Sequence, residues 1–460
     1  MFPKRFAKLS FLSPGAWVIL LVAVLSSLLV ALAPVKPREG MPLWVFDQNH
    51  ARTYTPIVQD WNQTHPDRPV DLKLIQFYAL ERRMLSGFMS GTPVADLIEA
   101  ERMVAARSFA GPLDRVGFVD LTDRLKAEGL MEQINAPSFT LWTSRGRIFG
   151  LPHDVHPVLL AYRADLVEAA GIDMNQVETW DDFFRLLRPL MQDFDGDGRT
   201  DRYLLGGWST NGPFAEMLLL QAGGRLFDEQ EQPCLTLERN VEVLATLTTW
   251  FAGPKRMCTE APEFSASGHR MRLEGVVVAS LIPDWMTGQW KRELPGLSGK
   301  LKLLPVPAWE KGGRRTTVWG GTMLGVTRAA PDFEAAWAFA KRLYLAPELA
   351  DALFEGVGIL TPVKTHWSRP VFHRPDPFFS GQPLGTLLIE QAPHVPARPA
   401  SPYGGLALDK LVAALVALHG YADRERRYTV EELKPEALRL LKIGQVELER
   451  QISRNRFLHR

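Results

Sequence analysis

TTVWGGTMLGVTRAAPDFEAAWAFAKRLYLAPELADALFEGVGILTPVK, residues 316–364, is the stretch whose reading decides the fold. Gly320 and Gly321 open a short apolar strand over 322–326, and Pro331-Asp332 then starts a helix rich in alanine and aromatic residues. A second short helix follows and is broken off by Gly356, Gly358 and Pro362. An apolar strand that hands the chain on to helices belongs to an α/β architecture.

The same pattern runs upstream. Leu43-Trp44-Val45-Phe46 is a first strand ending at Asp47, and residues 53–63 predict a helix with Tyr54, Ile57, Val58 and Trp61 on one face. Residues 70–74 alternate as a second strand, 80–89 form a second helix ended by Gly91-Thr92-Pro93, and 95–98 are a third strand. Strand, helix, strand, helix, strand implies parallel βαβ units with right-handed crossovers. Further on, 155–162 is a buried apolar run, and helices are expected at 164–170, 180–190, 215–222 and 236–250. Residues 276–282 read as the continuous apolar strand of a parallel sheet. Beyond 333 the chain is mainly helical, with proline-rich interruptions between 369 and 403.

Composition narrows the function classes. With 46 % hydrophobic and 23 % charged residues, the 460-residue chain has ordinary globular makeup and enough length for a large core. A formal net charge of +1 argues against a nucleic-acid partner, which needs a concentrated basic face. Cys234 and Cys258 are either one disulfide of an exported protein or two separate thiols, because spacing alone does not fix their Cα separation. No G-x-S-x-G, phosphate loop or H-E-x-x-H is present, so no catalytic constellation emerges.

The N-terminus carries the compartment signal. A basic segment, 1–15 with Lys4, Arg5 and Lys8, precedes the apolar run 16–35, which only Ser26, Ser27 and Pro34 interrupt. That run exceeds the roughly 7–15 residues of a secretory apolar core and approaches the length of a bilayer span. Ala31-Leu32-Ala33 offers small residues for cleavage, but the next residue is Pro34, and no cysteine lies near for lipid attachment. The expectation is an uncleaved signal anchor with its basic end inside, cleavage being the alternative; either way the body is exported. Residues 36–42, KPREGMP, form a linker.

Several stretches in order resemble the family 1 extracellular solute-binding proteins, the sugar-capturing receptors of ABC importers. Besides 316–364, these are the first strand and helix; ADLIEAE at 95–101, with Ala95 where proline is usual; and GLPHDVHPVLLAYRADLVEAAG at 150–171. In the last, Tyr162-Arg163-Ala164-Asp165 stands where the family usually reads Tyr-Asn-Lys-Asp. VETWDDF at 177–183 matches a helix start that Thr179 or Asp181 would cap, and VVVASLIPDW at 276–285 resembles a strand ending in a tryptophan-bearing cleft loop. The matches run from 43 to about 365.

The resemblance implies an α/β, two-lobed periplasmic-binding-protein-like fold with crossing strands between the lobes, preceded by an N-terminal transmembrane helix. Lobe 1 would take 43–153 and a return at 281–325; lobe 2 would take 154–280 and the C-terminal helices, 326–460. It implies a monomeric receptor that holds a sugar between its lobes, requires no cofactor and docks on the membrane subunits of an ABC permease. An exported glycan-acting enzyme and a ligand sensor on the same scaffold are the competing functions.

Sugar recognition needs flat apolar surfaces for ring C–H faces and carboxylates for paired hydroxyls, and an unpaired buried polar group costs about 1–3 kcal/mol. Of 13 tryptophans, Trp208, Trp285 and Trp319 sit beside Gly or Pro at predicted strand ends, whereas Trp61, Trp250 and Trp337 fall on helices and read as core. Trp285, Trp319, its neighbour Gly320, and Trp208 are therefore ligand candidates. Asp47 and Glu101 follow strands one and three, where they either meet ligand or cap the next helix, and Glu99 competes with Glu101. His153 and Asp154, with His156 close by, are expected to hydrogen bond rather than bind metal, because H-D-x-H lacks a two-histidine helical face. In DFDGDGRTD, Asp193, Asp195, Asp197, Arg199 and Asp201 occupy positions 1, 3, 5, 7 and 9 of a calcium loop, with Gly198 at position 6. Leu204 replaces the glutamate of position 12, so a structural calcium and a solvated acidic turn both stand.

Overall fold

The structure, a computed structural model, describes residues 13–32 and 40–455. Lys4, Arg5, Lys8, the proposed cleavage point at Ala33-Pro34 and linker residues 36–39 lie outside the described residues. Pro14–Leu32 is one uncharged 19-residue helix, about 28 Å long at 1.5 Å per residue.

From Met41 onward the chain builds two sheets. Its strands are β1 (Met41–Val45), β2 (Val70–Leu74), β3 (Leu97–Glu101), the two-residue hairpin partners β4 (Thr143–Ser144) and β5 (Arg147–Ile148), and β6 (Leu151–Pro152). They continue with β7 (Val158–Arg163), β8 (Tyr203–Gly207), β9 (Cys258–Glu260), β10 (Val277–Pro283), β11 (Leu301–Pro305) and β12 (Thr322–Val326). The first sheet has the order β2-β1-β3-β12-β6 and the second β11-β7-β10-β8-β9. In the first, β1 runs parallel to β2 and β3, as the βαβ pattern predicts, and β12 is antiparallel to β3 with Leu324 opposite Glu99. In the second, β10 is parallel to β8 and antiparallel to β7. Each sheet anchors its own apolar core.

The helix after β1 spans Gln48–Thr64 and buries Tyr54, Ile57, Val58 and Trp61, the face its spacing predicts. It begins earlier than the apolar periodicity because Asp47 caps it, accepting from the amides of Asn49 (2.7 Å) and His50 (3.1 Å). Thr179 and Asp182 form a reciprocal capping box at Trp180–Leu187.

Two lobe boundaries differ from the expectation. Within 281–325 only β12 joins the first sheet; β10 and β11 both pair with β7 in the second. Within 326–460, Phe333–Tyr344 and Pro347–Val357 pack on the first lobe, where Phe339 meets Trp61 edge to face at 5.3 Å between centroids. Local pattern gives an element's type, but its sheet is chosen by partners far away in sequence, which one segment cannot reveal. The chain passes between lobes around 153–157, where Pro157 bridges Val318, at 306–321, and again after Ile359.

The C-terminal helices Gly404–Glu425 and Val430–Ile452 complete the second lobe. Gly404–Glu425 is long and apolar enough to cross a membrane by length and composition. It instead buries Ala407, Leu411, Ala414, Leu415, Leu418 and Ala422 in the second core, a stripe at helical spacing. Cys258 is fully buried in β9 and Cys234 lies apart from it, so both are free thiols.

Candidate functional site: the cleft between the lobes

β1 and β3 deliver Asp47 and Glu101 to the same edge of the first sheet, the carboxyl ends of neighbouring parallel strands. Both acids cap a helix, Glu101 accepting from the amide of Met103 at 2.7 Å. Both also line a cavity of about 450 Å³ with Phe46, His50, His156 and Trp285. Capping and cleft lining are compatible, since each cap engages a single carboxylate oxygen, Asp47 Oδ1 and Glu101 Oε2. Burial raises the pKa of Glu101 against the opposing influence of Arg102. Glu99, the competing candidate, is 0 % exposed and takes Tyr54 Oη (2.6 Å) and His50 Nδ1 (3.1 Å) as partners inside the first lobe.

Trp285 follows β10, a strand of the second sheet, and lines the cavity with the acids. Its Nε1 donates to the Trp319 carbonyl at 2.8 Å, the two indoles meet edge to face at 5.6 Å, and Phe264 stacks on Trp285 at 6.1 Å. Trp319 is 7 % exposed and stands behind Trp285 as part of the second core. The assignment of 281–325, with Trp285 and Trp319, to the lobe of Asp47 and Glu101 is thus corrected: β10 pairs with β7 and β8, which puts the strand leading to Trp285 in the second sheet, and Trp319 packs in the second core. Trp208 lies just after β8 and outside the residues that line the cavity. Gly320 has φ 119°, and a Cβ there would fall 2.4 Å from His156 Cδ2, so the segment leading into β12 passes the histidine only as glycine.

The hinge beneath the cavity is ionic. His156 places Nε2 3.0 Å from Asp154 and Nδ1 2.6 Å from Asp284, and His153 Nδ1 lies 3.1 Å from the same Asp154 oxygen. A neutral imidazole has one N–H, so two carboxylates at its two nitrogens select the imidazolium. Burial pulls the His156 pKa down, but Asp154 and Asp284 outweigh it and raise it to about 10. His153 is lowered by burial and by His50, whose ring lies 4.5 Å away. Asp284 also accepts from the Leu360 amide at 2.8 Å. The sequence expectation of hydrogen bonding at His153 and Asp154 describes their positions, although they support the cavity from below instead of lining it.

A second cavity of about 300 Å³ is lined by Arg102, Glu216, Arg314 and Arg398 among others, and Arg102 directly follows Glu101, which lines the first. Arg102 Nη2 is 2.7 Å and Arg398 Nη1 3.4 Å from the same Glu216 oxygen, and Arg398 also donates to the Gly320 carbonyl. These three residues were not singled out by the sequence. Glu216 left one trace, a lone acid in the apolar helix Gly212–Gln221, but Arg398 sits in a proline-rich loop without periodicity.

In the acidic loop, the carboxylates of Asp193, Asp195 and Asp197 gather within 4.8 Å of one another at the surface. Asp193 accepts from the Gly196 (2.7 Å) and Gly198 (2.8 Å) amides, and Asp201 from that of Phe194 (2.7 Å). Arg199 lies with Asp197, and Leu204 is fully buried in β8, so position 12 supplies no ligand.

Residues 47–348 match the model of the bacterial extracellular solute-binding proteins, and the chain belongs to that family. It is similar to the arabinooligosaccharide-binding protein of Halalkalibacterium halodurans, 26 % identical over 365 residues that span 75 % of this chain and 77 % of the relative. The lactose-binding protein of Rhizobium radiobacter is 22 % identical, covering 77 % of this chain and 82 % of its own. Among solved structures, the sugar-binding protein MalE of Xanthomonas citri superposes with a TM-score of 0.70 at 16 % identity, covering 89 % of this chain and 99 % of that one.

Proposed function

We propose that the protein is an extracytoplasmic receptor that captures a carbohydrate between its lobes and delivers it to the membrane subunits of an ABC importer. The observation that carries this is one indole, Trp285, lining the same cavity of about 450 Å³ as two carboxylates, Asp47 and Glu101. An indole face takes sugar C–H surface, and carboxylates accept adjacent hydroxyls. The names of the arabinooligosaccharide- and lactose-binding relatives support the ligand class. Membership of a solute-binding family sets the glycan-enzyme alternative aside.

A thermal-shift screen with arabinose-, galactose- and glucose-based oligosaccharides tests it. Binding to the native state alone raises stability by about 2.7 kcal/mol at 100-fold excess over Kd. Asp47→Asn keeps a good helix cap while removing the charge, so its melting temperature stays near that of the wild type and its shift with sugar falls. A panel in which no sugar moves the melting temperature sinks the proposal.

The receptor works as a monomer tethered by its N-terminal helix, uncharged and nearly bilayer-long. The intact mass of protein extracted from membranes is expected to include this helix; a mature chain starting at Pro34 overturns the tether and leaves export standing.

The acidic loop is proposed to hold a structural calcium ion through Asp193, Asp195 and Asp197, favoured by the convergence of their carboxylates within 4.8 Å. Asp201 and the Arg199 carbonyl would complete the set. Chelator should then lower the melting temperature, and Asp195→Ala should abolish that sensitivity. Identical melting with and without chelator leaves a solvated turn.

A further inference from the structure

We propose that Arg398 sets the length of carbohydrate the cleft accepts, because its ion cluster with Glu216 and Arg102 walls one chamber off from the next. The proposal rests on the carbohydrate-receptor reading above. Consecutive residues face opposite chambers along this wall: Glu101 lines the larger one and Arg102 the smaller. Gly321 likewise lines the larger, while the neighbouring Gly320 carbonyl is taken by Arg398.

Arg398 reaches this place on a strap that leaves the second lobe and touches the first. The Ala392 carbonyl accepts from Asn135 Nδ2 at 3.1 Å, and the Arg398 amide donates to Thr140 Oγ1 at 3.1 Å, both first-lobe partners. Ala392 and Val395 nevertheless belong to the second core, to which the chain returns at Ala407. Arg398 therefore joins three parts: its backbone amide holds the first lobe, and its guanidinium holds the crossing segment at Gly320 and the second lobe's Glu216. The strap lies beyond residues 47–348, which match the family model.

All three members of the cluster are buried, Arg398 to 5 % exposure. Parting such a pair leaves a charge uncompensated, and a neutral sugar ring does not replace it, so a ligand that crosses the wall loses roughly 150- to 5,000-fold in affinity. Each chamber alone lies in the lower half of the ~300–1,000 Å³ typical of ligand pockets, room for one or two sugar rings. Short ligands thus bind with the wall intact. Arg398 is its weaker member: it is 3.4 Å from Glu216 where Arg102 is 2.7 Å, and its Nε has no hydrogen-bond partner. Burial and the neighbouring Arg102 also hold its pKa down to about 10.

Calorimetry with arabino- and malto-oligosaccharides of one to five units, on the full chain, tests the wall. Wild type should bind best at one or two units. Arg398→Met should raise the ratio of four-unit to two-unit affinity at least tenfold, and Arg398→Lys should keep the wild-type ratio. Glu216→Gln weakens the same wall from the other lobe and should move the ratio in the same direction, which keeps the test open if Arg398→Met does not fold. A purely structural role would lower the melting temperature and leave the ratio alone. An unchanged ratio in folded Arg398→Met or Glu216→Gln, or a wild type that favours four units over two, overturns the proposal. Failure of every sugar to bind is a different outcome: it sinks the carbohydrate reading, and the wall's role with it.

Discussion

Trp285→Ala is expected to weaken sugar binding by about 2 kcal/mol or more, roughly 30-fold, while the protein stays folded. The indole is partly buried, lines the cavity and has Phe264 stacked on it, so it presents a prepared flat surface. Its orientation depends on the Trp319 carbonyl, a backbone group that Trp319→Ala would leave in place. Trp319→Ala should therefore act mainly as a core truncation, costing about 3–5 kcal/mol of stability, as should Trp337→Ala in the first lobe. Calorimetry gives affinity per folded molecule and urea unfolding gives stability, so the two effects separate. If Trp285→Ala binds as tightly as wild type, the ligand surface lies elsewhere in the cleft.

The roles of the two tryptophans were not separable in sequence, because both lie at strand ends beside Pro or Gly. What divides them is depth: the Trp285 ring lines the cavity and Trp319 packs behind it. Asp47 and Glu101 were legible because a strand's carboxyl end followed by a helix start is a local pattern, and their cap and cleft positions coincide. The same locality explains the strands and helices of the first lobe. It also explains the misplaced boundaries: 333–357 is helical as expected but belongs to the opposite lobe from the one expected, and so does 301–305, to which the sequence reading gave no element, a choice made by β7 and by Trp61. Arg102, Glu216 and Arg398 meet from positions as much as 296 residues apart, and no local signal encodes such a meeting.

An effect on stability as large as those core truncations is expected at Asp284. It is 0 % exposed, pairs with His156 at 2.6 Å and accepts the Leu360 amide at 2.8 Å, so one carboxylate ties two of the crossing segments to the second lobe. Asp284→Asn leaves the His156 imidazolium with Asp154 as its one remaining carboxylate, a loss of about 3–5 kcal/mol for a buried pair broken from one side. The pH dependence has a definite sign. His156 is raised from 6.5 to about 10 in the folded protein, so its contribution is complete below about pH 6.5 and disappears as pH rises through about 10. Asp154 is burdened by burial but held well below the carboxylate range by His156 and His153, so its contribution is present above about pH 4 and disappears in acid. Urea unfolding of wild type and Asp284→Asn at pH 6, 8 and 10 should show the widest gap at pH 6 and a narrowing gap above it. A gap of equal size at all three values would mean that Asp284 holds the hinge through the Leu360 amide alone and that His156 carries no second charge-assisted bond.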